Sequence, residues 1–327
     1  MNKIHNKTAA ATWRALAVIA LIFSTSVTPI AAQSGGTSAA GREAGAKAAD
    51  WLATKQERDG GFGNGFAPGS DISATADAVM AFATAGKTIT QIKSTAGRTP
   101  LDYLASQLTR RKLSTGQAAK IALAVQSAGQ NPRQFGFRDL TRIILRGYDE
   151  KTGVVGENVF GHSLALLALI NAGVKPPAKA ITTLESLQDE SGGWAFMGSG
   201  TPDVDTTSVA LQALIASGRS AKDPTVKRGL DYLKSIQNED GGFPFQNPSD
   251  YGTETNANST ALVAQALMAA GIEPQSWAAA DGDPISALIA LQQPSGSIAY
   301  QASCPGDNAV ASMGPIPALY RVSPIAK

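Results

Sequence analysis

Apolar residues recur at helical spacing along most of this 327-residue chain, in two alternating kinds of segment. The first carries charge on one face, as in Val226-Lys227-Arg228-Gly229-Leu230-Asp231-Tyr232-Leu233-Lys234. Such a helix buries one stripe and leaves the other in water. The second is small and apolar on nearly every side, as in Ser208-Val209-Ala210-Leu211-Gln212-Ala213-Leu214-Ile215-Ala216, and must be surrounded by protein. Segments of the second kind usually stop at a glycine. Ala74 to Gly86, Gly116 to Gly129, His162 to Gly173, Thr206 to Gly218 and Ser259 to Gly271 fit, their closing glycines 43, 44, 45 and 53 residues apart; Ala309 to Tyr320 lacks one.

Four of the turns between the two kinds repeat one pattern, in which Gln follows a Leu by four residues and precedes an aromatic or apolar residue by six. They are Gln56 with Gly60-Gly61-Phe62, Gln188 with Gly192-Gly193-Trp194, Gln237 with Gly241-Gly242-Phe243, and Gln292 with Gly296-Ser297-Ile298. Two weaker outer segments, Leu101 to Leu113 and Asp139 to Tyr148, complete six pairs. A pair of this kind buries its apolar face only against its neighbours, so six outer and six inner helices are expected to close into a ring. The predicted fold class is all-α, an α6/α6 double-walled toroid. An open superhelix is the alternative. In the turns, a Gln amide can reach orphan backbone groups at helix ends, and the ring covers the turn.

This turn pattern resembles the QW repeat of squalene–hopene cyclases and related terpene cyclases. Arg228-Gly229 with Tyr232-Leu233, Gln237 and Gly242-Phe243 is the nearest copy, with Phe where the repeat usually has Trp. The resemblance covers most of the chain after the N-terminus and implies the toroid. The same fold serves protein prenyltransferase β subunits, cobalamin carriers such as intrinsic factor and transcobalamin, and thioester domains of complement proteins, so fold does not settle function.

The extreme N-terminus departs from the repeats. Lys3, Lys7 and Arg14 precede the apolar run Ala15 to Phe23, and small residues follow to Ala31-Ala32-Gln33. That order is expected of a secretory signal over residues 1–32, cleaved near Ala32, and implies a secreted, periplasmic or cell-surface protein. Residues 33–46 are expected to be a flexible linker, and 47–327 the toroid. Without residues 1–32 the chain has 25 basic against 26 acidic side chains, which offers no electrostatic case for nucleic acid or an anionic membrane. No membrane span is expected after signal cleavage. A single cysteine, Cys304, allows no intrachain disulfide.

Each inner segment begins with short polar residues: Asp71-Ile72-Ser73, Glu157-Asn158 with His162, Asp203-Val204-Asp205-Thr206-Thr207, Asn256-Ala257-Asn258-Ser259-Thr260, and Asp307-Asn308 with Ser312. Helix capping explains these residue types. If the inner helices run parallel, the same starts also gather at one rim ringed by positive helix ends. The expected ligand rim comprises Asp71, His162, Trp194, Phe245, Tyr251, Asn256, Asn258, Tyr300 and Asp307, with Phe66 and Phe196 in the same loops.

Two chemistries are implied by resemblance alone. Asp203-Val204-Asp205-Thr206 is similar to the Asp-x-Asp-Asp motif of class II terpene cyclases, which would make Asp205 the proton donor, with Asp203 beside it; Thr206 stands where that motif has a third Asp. The zinc site of prenyltransferases would need Asp307, Cys304 and His162 to meet, so no metal and no cofactor are expected. The cobalamin carriers are secreted single barrels, and Asn258-Ser259-Thr260-Ala261 and Pro315-Ile316-Pro317-Ala318-Leu319 look like their helices. The leading expectation is a non-catalytic binding or scaffold module engaging a small molecule, glycan or protein at the rim. A cyclase-like enzyme and an inert toroid are the rivals.

Overall fold

A computed structural model describes residues 39–250, 252–323 and 325. Among these lie thirteen α-helices: α1 (Ala39–Ala53), α2 (Ile72–Thr84), α3 (Pro100–Arg110), α4 (Thr115–Ser127), α5 (Leu140–Leu145), α6 (Val159–Asn171), α7 (Ala178–Ser186), α8 (Val204–Ala216), α9 (Pro224–Ile236), α10 (Ala257–Ala269), α11 (Pro284–Ala290), α12 (Ala309–Met313) and α13 (Pro315–Leu319). The expected signal sequence lies outside the described residues. The expected linker is corrected in part. From Ala39 the chain is helical, and Ala44, Gly45, Ala48 and Ala49 of α1 are buried.

The inner wall runs α2, α4, α6, α8, α10, each packed on the next, and α12 and α13 lie between α10 and α2 to shut it. The last inner segment is two short helices because Pro315 and Pro317 cannot donate backbone hydrogen bonds to continue one. Outside stand α1, α3, α5, α7, α9 and α11. The inner helices α2, α4, α6, α8 and α10 end two residues before Gly86, Gly129, Gly173, Gly218 and Gly271, each at positive φ. Such a glycine turns the chain out of the helix without the steric cost a side chain meets there.

Closure is built from the glutamines. Nε2 of Gln56 donates to the carbonyls of Gly60 (2.8 Å) and Arg98 (3.2 Å). Gln188 bridges Gly192 and Thr225, and Gln237 bridges Gly241 and Trp277, in the same way. Each amide ties its own turn to the next outer segment. Gln292 does so across the seam, donating to Gly296 (3.0 Å) and to Ala44 of α1 (2.8 Å). No helix among the described residues is long and apolar enough to cross a membrane.

Candidate functional site: the mouth of the toroid

The inner helices start with Asp71, Ser114, Asn158, Asp203, Asn256 and Asn308 as N-caps, each side chain accepting a hydrogen bond from the N–H three residues on. This satisfies one orphan donor per helix. Neighbouring starts are level. Lys120 and Asp77, the sixth residues of α4 and α2, pair at 2.6 Å. Ser259, the third of α10, donates to Asp205, the second of α8, at 2.6 Å. Ser259 and Asp205 lie in the first turns of their helices, and backbone bonds from Val159, Val204 and Ala257 reach the loops that lead into α8, α10 and α12, so these starts form one mouth.

Four residues past the cap, a second polar side chain clamps the preceding turn. The hydroxyls of Thr75, Thr207, Thr260 and Ser312 accept from the N–H groups of Phe62, Trp194, Phe243 and Ile298 at 2.8–2.9 Å. In the α6 repeat His162 takes this place. Its Nδ1 accepts from the Val155 N–H at 2.8 Å, and its Nε2 lies 2.9 Å from the Ala180 carbonyl. Burial pushes its pKa below the ordinary value, outweighing those two backbone contacts, so the ring is neutral with the proton on Nε2. His162 is therefore corrected from rim residue to wall residue: it is fully buried and both nitrogens are engaged. It cannot join Cys304 and Asp307 around a zinc ion.

The loops ahead of the inner helices are tied to the next helix round. The N–H of Val159 donates to the Phe196 carbonyl, that of Val204 to Phe245, and that of Ala257 to Tyr300, each at 2.9 Å. Thr115 finds the Glu157 carboxylate instead, at 3.4 Å. These bonds fix the loop backbones and leave the rings of Phe196 and Phe245 exposed by 46% and 42%. Tyr300 is half-buried, and burial and then the charge of Asp205 push its phenol up. Trp194 is corrected from the rim: it is fully buried beneath its turn, its indole N–H donating to the Leu184 carbonyl at 2.7 Å. Tyr251 lies outside the described residues. Asp307 is exposed at the seam, where hydrogen bonds from Ser295 and Ser297 hold its carboxyl below its usual range. It borders an open groove of about 380 Å³ with Trp51, Lys55 and Glu57.

Asp203, Asp205, Asn256, Asn258, Phe245 and Tyr300 do come together at the starts of α8 and α10; Asp71 caps α2 elsewhere on the mouth. Asn256 is buried, accepts from the Ser259 N–H and donates to the Ser259 hydroxyl at 3.0 Å. Ser259 in turn donates to Asp205, giving an ordered chain Asn256–Ser259–Asp205. Burial pushes Asp205 up to about 7; the Ser259 hydrogen bond opposes this, Asp203 adds to it, and Lys120 opposes it. Lys120 stands on α4, two inner helices away from α8, so its field reaches Asp205 across the opening. Asp203 is also raised by burial, although the Thr206 N–H it caps pulls it down. One turn below Asp205, the buried Ser208 hydroxyl has no hydrogen-bond partner among the described residues.

Residues 138–304, just over half of the chain, match the family model of the squalene–hopene cyclase C-terminal domain. The chain belongs to that family. Residues 9–117 match the prenyltransferase α/α toroid domain. Against curated proteins the chain has no match. Among solved structures it is similar to a protein from Actinoplanes, at 15% identity and TM-score 0.63 over 86% of this chain and 99% of the other. A point variant of the type II terpene cyclase MstE from Scytonema, in complex with geranylgeranyl dihydroxybenzoate, aligns at 13% identity and TM-score 0.61, over 86% and 97%. An unsaturated glucuronyl hydrolase specific for heparin aligns at 9% identity and TM-score 0.63, over 86% and 95%. Identities this low carry the fold alone.

Within this family's toroid, the Asp-x-Asp-Thr segment divides its work. Asp203 is committed to the α8 cap, and Asp205 is the carboxyl turned to the opening. Sequence reasoning missed Asp77 and Lys120. The signal was available, because each is the sole charged residue of its helix, at the same position in both.

Proposed function

We propose that this squalene–hopene cyclase-family chain is an exported single-toroid binding module, taking a small ligand at the mouth through Asp205, Ser259 and the unpartnered hydroxyl of Ser208. The ordered Asn256–Ser259–Asp205 chain carries the reading. It presents a half-buried carboxyl able to donate or accept a hydrogen bond near neutral pH, held in one orientation by its neighbours. The ligand class this suits is a small molecule bearing hydroxyl or amide groups. Export rests on the order of charge, apolar run and small residues in 1–32.

Two features weigh against carbocation chemistry. Protonating an alkene needs an acid far stronger than a carboxyl that keeps its proton to about pH 7. The Lys120 ammonium shares the mouth, and its pairing with Asp77 offsets only part of its repulsion for a cation formed there. One observation favours the second reading, a cyclase with Asp205 as proton donor: this half-buried carboxyl stands where the Asp-x-Asp-Asp motif has its middle Asp. Incubating wild type and Asp205→Asn with isoprenoid substrates, while following ligand-dependent melting shifts with hydroxylated small molecules, separates the two. Ligand shifts lost in Asp205→Asn, with no isoprenoid turnover in either protein, support the binding module. Turnover by wild type that Asp205→Asn abolishes establishes the cyclase and overturns it. N-terminal sequencing of the protein recovered outside the cytoplasm checks cleavage near Ala32.

A further inference from the structure

The near-balance of charge over the whole chain hides a local excess. Residues 109–147 hold eight Lys and Arg and one acid, Asp139. Seven of the eight are exposed: Arg110, Arg111, Lys112, Arg133, Arg138, Arg142 and Arg146. Burial alone would raise Asp139, but hydrogen bonds from Thr141 and the Arg142 backbone hold its carboxyl below its usual range, so it stays charged. It pairs with Arg142 at 3.6 Å; none of the other six forms an ion pair among the described residues.

Within this cationic segment lies a tight turn. The Arg138 N–H donates to the Phe135 carbonyl at 3.0 Å, and the two residues between them, Gly136 and Phe137, have φ of 55° and 61°. Both central residues at positive φ define the type I′ class, which favours Gly and Asn. A bulky side chain there costs about 1–2 kcal/mol of backbone strain. Phe135 is buried and anchors the turn, but Phe137 is wholly exposed and packs against nothing. Gly136 lies against Ala105 and Leu108, which sets the turn on the last two turns of α3, beside Arg110, Arg111 and Lys112. The fold gains nothing from an aromatic ring at this tip, so its use lies outside the fold.

We propose that this face docks on an anionic lipid bilayer, with Phe137 inserted at the headgroup level and the surrounding arginines and Lys112 on lipid phosphates. The tip is convex. A folded partner would need a pocket shaped to it, whereas a bilayer interface accepts an isolated ring without one, and the cations match its negative surface. An acidic polymer would satisfy the cations but leaves the strained ring without a role.

The test is sedimentation of the full-length protein with vesicles of phosphatidylcholine alone, and with phosphatidylglycerol added. All variants share the apolar run at residues 15–23, so differences among them report this face. Wild type is expected to bind the anionic vesicles the more tightly, and less so as salt rises. Arg138→Glu should weaken that binding about 25-fold, since each charge unit near a charged surface contributes about fivefold and the reversal changes two. Phe137→Asn should weaken it about tenfold, through lost apolar contact, with no loss in melting temperature. Lys175→Glu, exposed elsewhere, is the charge control. Equal binding to both vesicle types, or a Phe137→Asn protein as tight as wild type, overturns the proposal; so does a Phe137→Asn protein that is destabilised, because the ring would then be structural.

Discussion

Ser259 Oγ lies 2.6 Å from Asp205 Oδ1, and that contact joins the starts of two neighbouring inner helices through a carboxyl that titrates near 7. Folding raises this pKa from an ordinary 3.8, so between those values the native state binds the extra proton. The stability contributed by Asp205 is therefore fully present below about pH 4 and lost as pH rises through about 7. Asp205→Asn should flatten this fall and leave the variant more stable than wild type at pH 8, by on the order of 3 kcal/mol. Urea unfolding at pH 4 to 8 measures it; identical pH profiles would contradict the assignment.

His162 has the opposite sign. Its folded pKa is lowered, so the unfolded chain binds the proton first, and stability falls as pH drops below about 6.5. His162→Ala orphans the Val155 N–H and the Ala180 carbonyl in a buried site, and should cost about 2–5 kcal/mol. His162→Thr restores the clamp used in the other repeats and should recover part of that loss. Denaturant midpoints of the two variants decide the matter, and equal midpoints would rule out the clamp.

Gly229 on α9 is required by proximity and not by backbone angle. A methyl group there would lie 2.7 Å from Leu211 Cδ2 and 2.9 Å from Trp194 Cζ3. Gly229→Ala should destabilise by about 1–3 kcal/mol through overpacking. In the Trp194→Phe background the penalty should shrink, because the ring atom it strikes is gone. A double-mutant cycle measures this coupling; strict additivity would count against it.

Gln292→Ala removes two hydrogen bonds at the seam, leaving the Ala44 and Gly296 carbonyls without their amide. Loss of about 1–3 kcal/mol is expected. Hydrogen exchange should quicken in α1 and α11 before it does in α6 and α8. Uniform quickening would show that the seam is no weaker than the rest of the wall.

The toroid was legible because its period is written in residues with few alternatives: glycines at positive φ after the inner helices, and glutamines bridging successive turns. Its limits were less so. The expected linker over 33–46 was read from small residues, Ala and Gly, yet in α1 those same residues permit close packing: the Cβ position of Gly45 falls 2.8 Å from the Tyr320 ring. At the mouth, capping residues announced themselves by type, but type could not separate a side chain facing the opening from one facing the wall. Thr75, Thr207, Thr260 and His162 share a spacing from the cap that sends each inward to its own turn. Only the cross-wall neighbours, such as Ser259 for Asp205, distinguish a site from a cap.

The seam also bears on how the molecule is made. The first outer helix emerges from synthesis before any other described part, yet the amide that receives it belongs to the last repeat, 248 positions later. Until that repeat arrives, α1 lacks the α11, α12 and α13 surfaces it packs on, and the apolar edges of the unfinished ring stand open. Loop-closure entropy makes so distant a contact slow to form. Completion of the ring is thus a late kinetic event, during which the growing chain needs protection from its own exposed surfaces.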